Sequence, residues 1–308
     1  MKHFACILVG LSVLAGLMLS GCGSQEQQYV KKAVKLMNKH GLFAEGPAWE
    51  AARSSALAAQ PSTMEEAYDV CREALKVAGG KHSFLREPVK DTASYQEVAP
   101  EVKMMEDSIL YVVLPAHMGV KVSDSEYVHT VLDFLQDNLD AKGVVLDLRG
   151  NTGGNMYPMI AAISPLLPDG TVLRFKSRKR TTPVFLEMVV KSQGLSMEGI
   201  GRFPSSTPVA LLTDDMTASS GEATLLCFRG LDNARTFGAP TAGYASANTP
   251  YLLADGYSLV VTQSCDMART GEVFCDDPVV PDVETDTPLE DAVDWISMKS
   301  RTRRNTGS

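Results

Sequence analysis

Three stretches of this sequence carry residues whose types and spacing could do chemistry. The first is the turn Asp214-Asp215-Met216-Thr217-Ala218-Ser219-Ser220-Gly221-Glu222. It follows an apolar run, Pro208 to Thr213, that reads as a buried strand, and precedes Ala223 to Phe228, which reads as a helix closed by Gly230. A strand turning sharply into a helix sets its last loop residues beside unpaired helix N–H groups, where an oxyanion is stabilised and a serine is well sited as a nucleophile. Ser219, Ser220 and Thr217 would serve equally as plain helix caps. The second stretch is Arg149-Gly150-Asn151-Thr152-Gly153-Gly154-Asn155, after the strand-like run Gly143 to Leu148. Its glycines let backbone approach a ligand and turn N–H groups into one concavity. It has neither a phosphate-loop ending nor a dinucleotide fingerprint, and a tight strand-to-helix connection also fits it. The third is His82, just after Gly79-Gly80, which could be a catalytic base or an ordinary loop histidine. His117 is the fallback base, although Leu114-Pro115 before it simply ends a strand; His129 lies off its helix's apolar stripe and reads as surface.

The elements that must position these residues alternate between helical and strand periodicity, which places the chain in the α/β (α+β) class. Residues 29–100 read as a small helical unit containing Trp49, with a capping box at Ser62-Thr63-Met64-Glu65 and a stop at Gly79-Gly80. It is too short to be robust alone and should pack on the core segment after it. Residues 101–290 read as that core. Ile109 to Leu114 is a strand, Ser123-Asp124-Ser125-Glu126 opens a helix, and 171–207 reads as a strand plus a long polar loop. Gly238 to Asn248 is a small-residue loop, and Asp255-Gly256 turns a hairpin between Leu252–Ala254 and Tyr257–Thr262. Residues 288–297 read as a closing helix, and 291–308 as that helix's body and a basic tail.

The ends and the charge bound the partners. Residues 1–21 have a basic start and an apolar core, and Leu19-Ser20-Gly21-Cys22 resembles a bacterial lipobox. Cys22 would then be lipidated, residues 22–28 would form a tether, and the protein would be exported and anchored to a membrane through its N-terminal lipid. A plain secretory signal is the other reading. The formal charge of −8 with no basic face argues against nucleic acid as a partner. Outside the cytoplasm disulfides are possible, and Cys265 and Cys275 flank a turn-like Arg269-Thr270-Gly271 across which they could pair. Cys71 and Cys227 read as buried thiols; no cysteine spacing resembles a zinc site, and no metal or cofactor is implied.

The order of these motifs resembles a family. A helical start ends in Gly-Gly-Lys81-His82-Ser83-Phe84; then come Asp147-Leu148-Arg149-Gly150-Asn151-Thr152-Gly153-Gly154, Thr217-Ala218-Ser219-Ser220-Gly221-Glu222, Gly238-Ala239-Pro240-Thr241-Ala242-Gly243 and Pro281-Asp282. This is similar to the serine peptidases that include the tail-specific (C-terminal processing) proteases and the tricorn protease core, over roughly residues 29–290. The resemblance implies a ClpP/crotonase-like ββα-spiral core and hydrolysis of peptide or protein substrates. It implies Ser219 as nucleophile and an oxyanion hole from Ser220 and the pair Gly153-Gly154. One branch uses a lysine base after the position of Gly238, but no lysine lies between Lys191 and Lys299. The tricorn-like branch uses a histidine, which matches His82, although Lys81 stands where that branch has a catalytic serine. Asp276 and Asp277 stand where an acid could orient His82. The segment between Leu85 and Tyr111, about 25 residues, has no room for a PDZ domain. Two rival readings stand beside the peptidase: a weak or inactive peptide-binding lipoprotein on the same fold, and an esterase or amidase using the same serine.

Overall fold

The computed structural model describes residues 23–88 and 96–306. The leader and Cys22 with its lipobox therefore lie outside the described residues. Three helices come first: α1 (Gln25–His40), α2 (Gly46–Ala58) and α3 (Met64–Gly79). Ser24 and Thr63 cap α1 and α3, each accepting a backbone N–H three residues on. Their apolar stripes meet around Trp49, Met37 and Leu75, and the same cluster takes in Leu259 and Val261 from a strand of the body and Leu253 from the turn before it. The helices thus share a core with the sheet that carries part of the site.

The body continues with β1 (Phe84–Arg86), β2 (Glu101–Met104), β3 (Ile109–Val113), α4 (Asp124–Gln136), β4 (Gly143–Asp147) and α5 (Met156–Ala162). Next are β5 (Thr171–Ser177), β6 (Thr181–Phe185), α6 (Leu186–Ser192), β7 (Val209–Thr213), α7 (Ser220–Leu226) and β8 (Ala234–Gly238). The chain closes with β9 (Ser246–Leu252), β10 (Ser258–Met267), β11 (Val273–Phe274), β12 (Val283–Glu284) and α8 (Pro288–Thr306).

Two sheets divide the strands. One runs in the order β12-β8-β7-β4-β3-β2, parallel except for β2. Its central strands β3, β4 and β7 are apolar on both faces, as the middle of a sheet covered on both sides requires. Leu110, Val112, Val144, Leu146 and Leu211 enter the main core with α4, α5 and α7, while Ile109, Val145, Ala210 and Leu212 meet Trp295 and Ile296 of α8. The other sheet is antiparallel: β1-β10-β5-β6, with β9 and β11 also paired to β10. The α/β class expected from the sequence therefore holds, with helices and two sheets.

Several local expectations shift. Residues 171–207 hold a hairpin, β5–β6, and helix α6 rather than one strand and a long loop. Strand β9 begins at Ser246, inside the stretch read as loop, because β10 continues to Met267 and offers a partner edge that far. Helix α8 extends to Thr306, well past 297. Cys265 of β10 is disulfide-bonded to Cys275, just after β11, and Cys71 and Cys227 are buried thiols. Among the described residues, no helix is long and apolar enough to cross a membrane.

Candidate active site

Ser219 sits where β7 ends and α7 begins, with φ of 52° and ψ of −115°. A positive φ is strained for any residue with a Cβ and persists only where the surroundings enforce it. Here the enforcement is visible. The Ser219 N–H donates to Glu222 Oε2 at 2.9 Å, and the Ala218 N–H donates to Asn151 O at 2.8 Å. Upstream, Asp214 accepts from the N–H groups of Met216, Thr217 and Gly150, and the Thr217 hydroxyl donates to Leu148 O.

The glycine loop after β4 presses directly on this turn. A Cβ at Gly153 would lie 2.7 Å from Ser219 Cβ, and one at Gly154 would lie 2.0 Å from His117 O. Both positions have positive φ, so only glycine fits. Asn151, fully buried, donates from its side chain to Leu114 O and accepts the Gly153 N–H at 2.9 Å. The Gly153 N–H is thus already engaged. Among the described residues, the N–H groups of Gly154 and Ser220 have no hydrogen-bond acceptor. The Ser220 hydroxyl donates to Gly154 O at 2.7 Å, so Ser220 also ties the two loops together through its side chain.

His82 lies in the turn between α3 and β1. Asn248 Nδ2 donates to its carbonyl at 2.8 Å, and the next residue, Ser83, bonds to Thr262 of β10. Its Nδ1 is 2.8 Å from Ser246 Oγ at the start of β9. The expected acids do not take that place: Asp276 lies beside Gly80 and Asp277 beside Gly243, and neither bonds to His82. The physical reason is the path of β9, which brings a hydroxyl to Nδ1 first. Burial, and next to it the Lys81 ammonium, hold the His82 pKa down at about 4, so the ring is neutral at pH 7. Lys81 donates to Ala242 O and lies 4.5 Å from the centre of the Tyr244 ring. Nε2 of His82 has no hydrogen-bond partner, and none joins it to Ser219 among the described residues; such contacts commonly tighten only with substrate in place.

Two residues with no part in the sequence expectations complete the frame. Glu222 is fully buried and accepts from the N–H groups of Ser219, Gly243 and Tyr244 and from the Thr241 hydroxyl. Burial raises its pKa against those donors. It therefore braces the serine turn to the 238–245 loop that leads into Ser246 and on to His82. Ser219, Ser220, Gly154 and Ser246 line one cleft of about 270 Å³, together with Asn155, Met156, Tyr157, Phe175, Ala223, Ala247, Asn248 and Asp266. Among the described residues no group of three His, Cys, Asp or Glu is placed to hold a metal. Glu222 carried a signal, an acidic residue entering an apolar helix three positions after a serine; Ser246 carried none.

Comparisons with known proteins fall on this same region. A family described as Peptidase family S41 matches residues 108–285, which contain Ser219 and the glycine loop. The nisin-resistance protein of Lactococcus lactis subsp. lactis is 33% identical over 277 residues, covering 88% of this chain and 86% of that one. A lipoprotein structure from Streptococcus agalactiae superposes with a TM-score of 0.77 at 27% identity, covering 90% of this chain and 98% of that one. The photosystem II D1 C-terminal processing protease shares the fold, with a TM-score of 0.60 at 15% identity over 85% of this chain and 94% of that one. With the match spanning more than half of its residues and a third of the sequence shared along nearly its whole length, the chain belongs to peptidase family S41.

Proposed function

We propose that this protein is a membrane-anchored serine peptidase of the bacterial cell exterior, acting through an acyl-enzyme on Ser219 with His82 as general base. The observation that carries the reading is the conjunction at Ser219: a strained serine, the unbonded N–H groups of Ser220 and Gly154 beside it, and a neutral histidine reached through Ser246 in the same cleft. With Nδ1–H donating to Ser246 Oγ, the His82 lone pair is on Nε2. That nitrogen takes the Ser219 proton as Oγ attacks the peptide carbonyl, and returns it to the leaving amine. The tetrahedral oxyanion receives the N–H groups of Ser220 and Gly154, each worth roughly 3–4 kcal/mol in the transition state. Gly153 acts by its lack of a side chain, since its N–H is held by Asn151. Asp276 and Asp277 are left out of the mechanism.

A hydroxyl steadies an imidazolium less than a carboxylate does, so turnover should be slow relative to Ser-His-Asp enzymes. The lipidated Cys22 gives the anchor, in keeping with the Streptococcus neighbour's description as a lipoprotein. The Lactococcus relative is named for nisin resistance, which makes nisin the first substrate to try. A fluorophosphonate probe is the direct test: wild type should label and Ser219→Ala should not. Absence of labelling in wild type, or equal labelling of both, would favour a peptide-binding lipoprotein instead; turnover of ester substrates with no cleavage of any peptide bond would favour an esterase.

A further inference from the structure

Asp266 has no part in the mechanism above, yet it lines the same cleft as Ser219. It projects from β10, opposite Phe175 of β5, and is 2% exposed. Its Oδ1 is enclosed with no hydrogen-bond donor, and among the described residues no Lys or Arg forms an ion pair with it. Glu222, the other buried carboxyl here, is met by four donors. A buried carboxyl without donors is costly to keep, and one that only held the fold together would have partners as Glu222 does. The rest of the cleft has a matching character. Phe175, Tyr157, Met156, Ala223 and Ala247 give apolar and aromatic wall to the same cleft that Ser219 and Asp266 line. Long cationic side chains divide in the same way, into an aliphatic stem and a charged head.

We infer that the cleft beside Ser219 takes a lysine or arginine side chain of the substrate, its stem against Phe175 and Tyr157 and its charge on Asp266. This rests on the reading of the cleft as a peptide site and names the substrate class that site selects. Burial, and after it the Glu222 carboxyl, disfavour negative charge on Asp266, and an incoming cation offsets both.

The test reads binding, so it does not depend on catalysis. The Ser219→Ala protein is titrated with fluorescent peptides identical except at one scanned position, which carries Lys, Arg, norleucine or Glu. At one position Lys or Arg should bind about tenfold or more tighter than norleucine, the size expected of one charge-assisted contact, and Glu should bind more weakly than norleucine. Adding Asp266→Asn should remove the preference. Adding Phe175→Lys, which supplies a cation from the facing strand, should remove it as well and covers the case in which the asparagine variant does not fold. Equal binding of Lys and norleucine peptides at every position overturns the inference, as does a preference that survives in either folded variant. Failure of the fluorophosphonate labelling would instead strike the peptidase reading, leaving this binding comparison intact.

Discussion

The two candidate histidines, His117 beside the glycine loop and His82 beside Ser246, show what does and does not mark a catalytic group. His117 has the partners that a relay would suggest: its Nε2 is 2.7 Å from Asp124 Oδ1 and its Nδ1 is 3.4 Å from Glu97 Oε1. Burial works against charge on Glu97, yet N–H groups from Met118 to Val122 converge on its carboxylate and hold its pKa at about 2. But the His117 side chain is sealed, and what it delivers to the site is backbone: its N–H donates to Gly153 O and its carbonyl accepts the Asn155 N–H. Among the described residues, the His82 ring has only a serine hydroxyl as hydrogen-bond partner, and it keeps one nitrogen unbonded. Acid neighbours therefore do not by themselves mark the proposed base: His117, whose Nδ1 also lacks a hydrogen bond, is sealed and holds the loop, whereas His82 bonds to Ser246 of the cleft.

The largest expected effects separate the two directly. Ser219→Ala and His82→Ala should each lower kcat/KM by about 10³–10⁶-fold with little change in thermal midpoint. His117→Ala should cost about 2–4 kcal/mol in stability, because it removes a fully buried ring and leaves the Glu97 and Asp124 carboxylates without it. Thermal unfolding and hydrolysis of a labelled peptide measure both quantities. Full activity in His82→Ala would reverse the assignment.

The next comparison lies within the loop that His117 holds. Gly154→Ala drives a methyl into His117 O and displaces an unbonded N–H, so a loss of about 10²–10³-fold in kcat is expected, the size of one oxyanion donor. Gly150→Ala is the control. Gly150 also has positive φ, but a Cβ there meets nothing within 4 Å, so the cost should be about 1 kcal/mol of stability with kcat nearly intact. Equal kinetic damage from both would mean that loop strain, not the Gly154 N–H, matters.

How far the sequence discloses the site depends on chain distance. The serine turn and the glycine loop are contiguous strand-turn-helix units, so their glycines, caps and flanking apolar runs are readable in place. The parallel sheet that carries them is equally readable, because β4 and β7 are short unbroken apolar runs. The base side is different. Ser246 meets His82 across 164 residues, through β9 pairing with β10, and that register leaves no local signal. Asp276 and Asp277 suggest themselves as partners only by their place in the chain, and the geometry puts a hydroxyl there instead. Asp266 looks like any strand aspartate until its burial and lack of donors are seen. The β5–β6 hairpin is hidden for a related reason: Arg174, Lys176 and the run Arg178 to Arg180 break the apolar pattern of two partly exposed strands.

Ser246 then tests whether a hydroxyl is enough to orient the base. Ser246→Ala removes the hydrogen bond that the His82 ring makes, and a loss of about tenfold in kcat is expected, far below the 10⁴-fold that accompanies loss of the aspartate's role in a Ser-His-Asp triad. Ser246→Asp should place a carboxylate at the same nitrogen, raise the His82 pKa and recover or exceed the wild-type rate. A loss on Ser246→Ala as large as that of His82→Ala would mean the hydroxyl has a direct part in the chemistry.

The smallest effect isolates Lys81. Its ammonium is the second cause, after burial, of the low His82 pKa. A depressed base is neutral, and therefore active, at every pH above its pKa, so the acid limb of kcat/KM in the wild type should fall near pH 4 rather than near the ordinary 6.5 of histidine. Lys81→Met removes the cation but leaves burial in place. The His82 pKa should then rise, and the acid limb should move up by less than about one pH unit. Lys81 is exposed, so its field reaches His82 partly through solvent and is screened by salt. Raising ionic strength should therefore move the wild-type limb toward the Lys81→Met position and leave the variant's limb where it is. An acid limb that neither Lys81→Met nor salt moves would assign the depression to burial alone, and Lys81 would then be a residue that packs on Tyr244 without tuning the base.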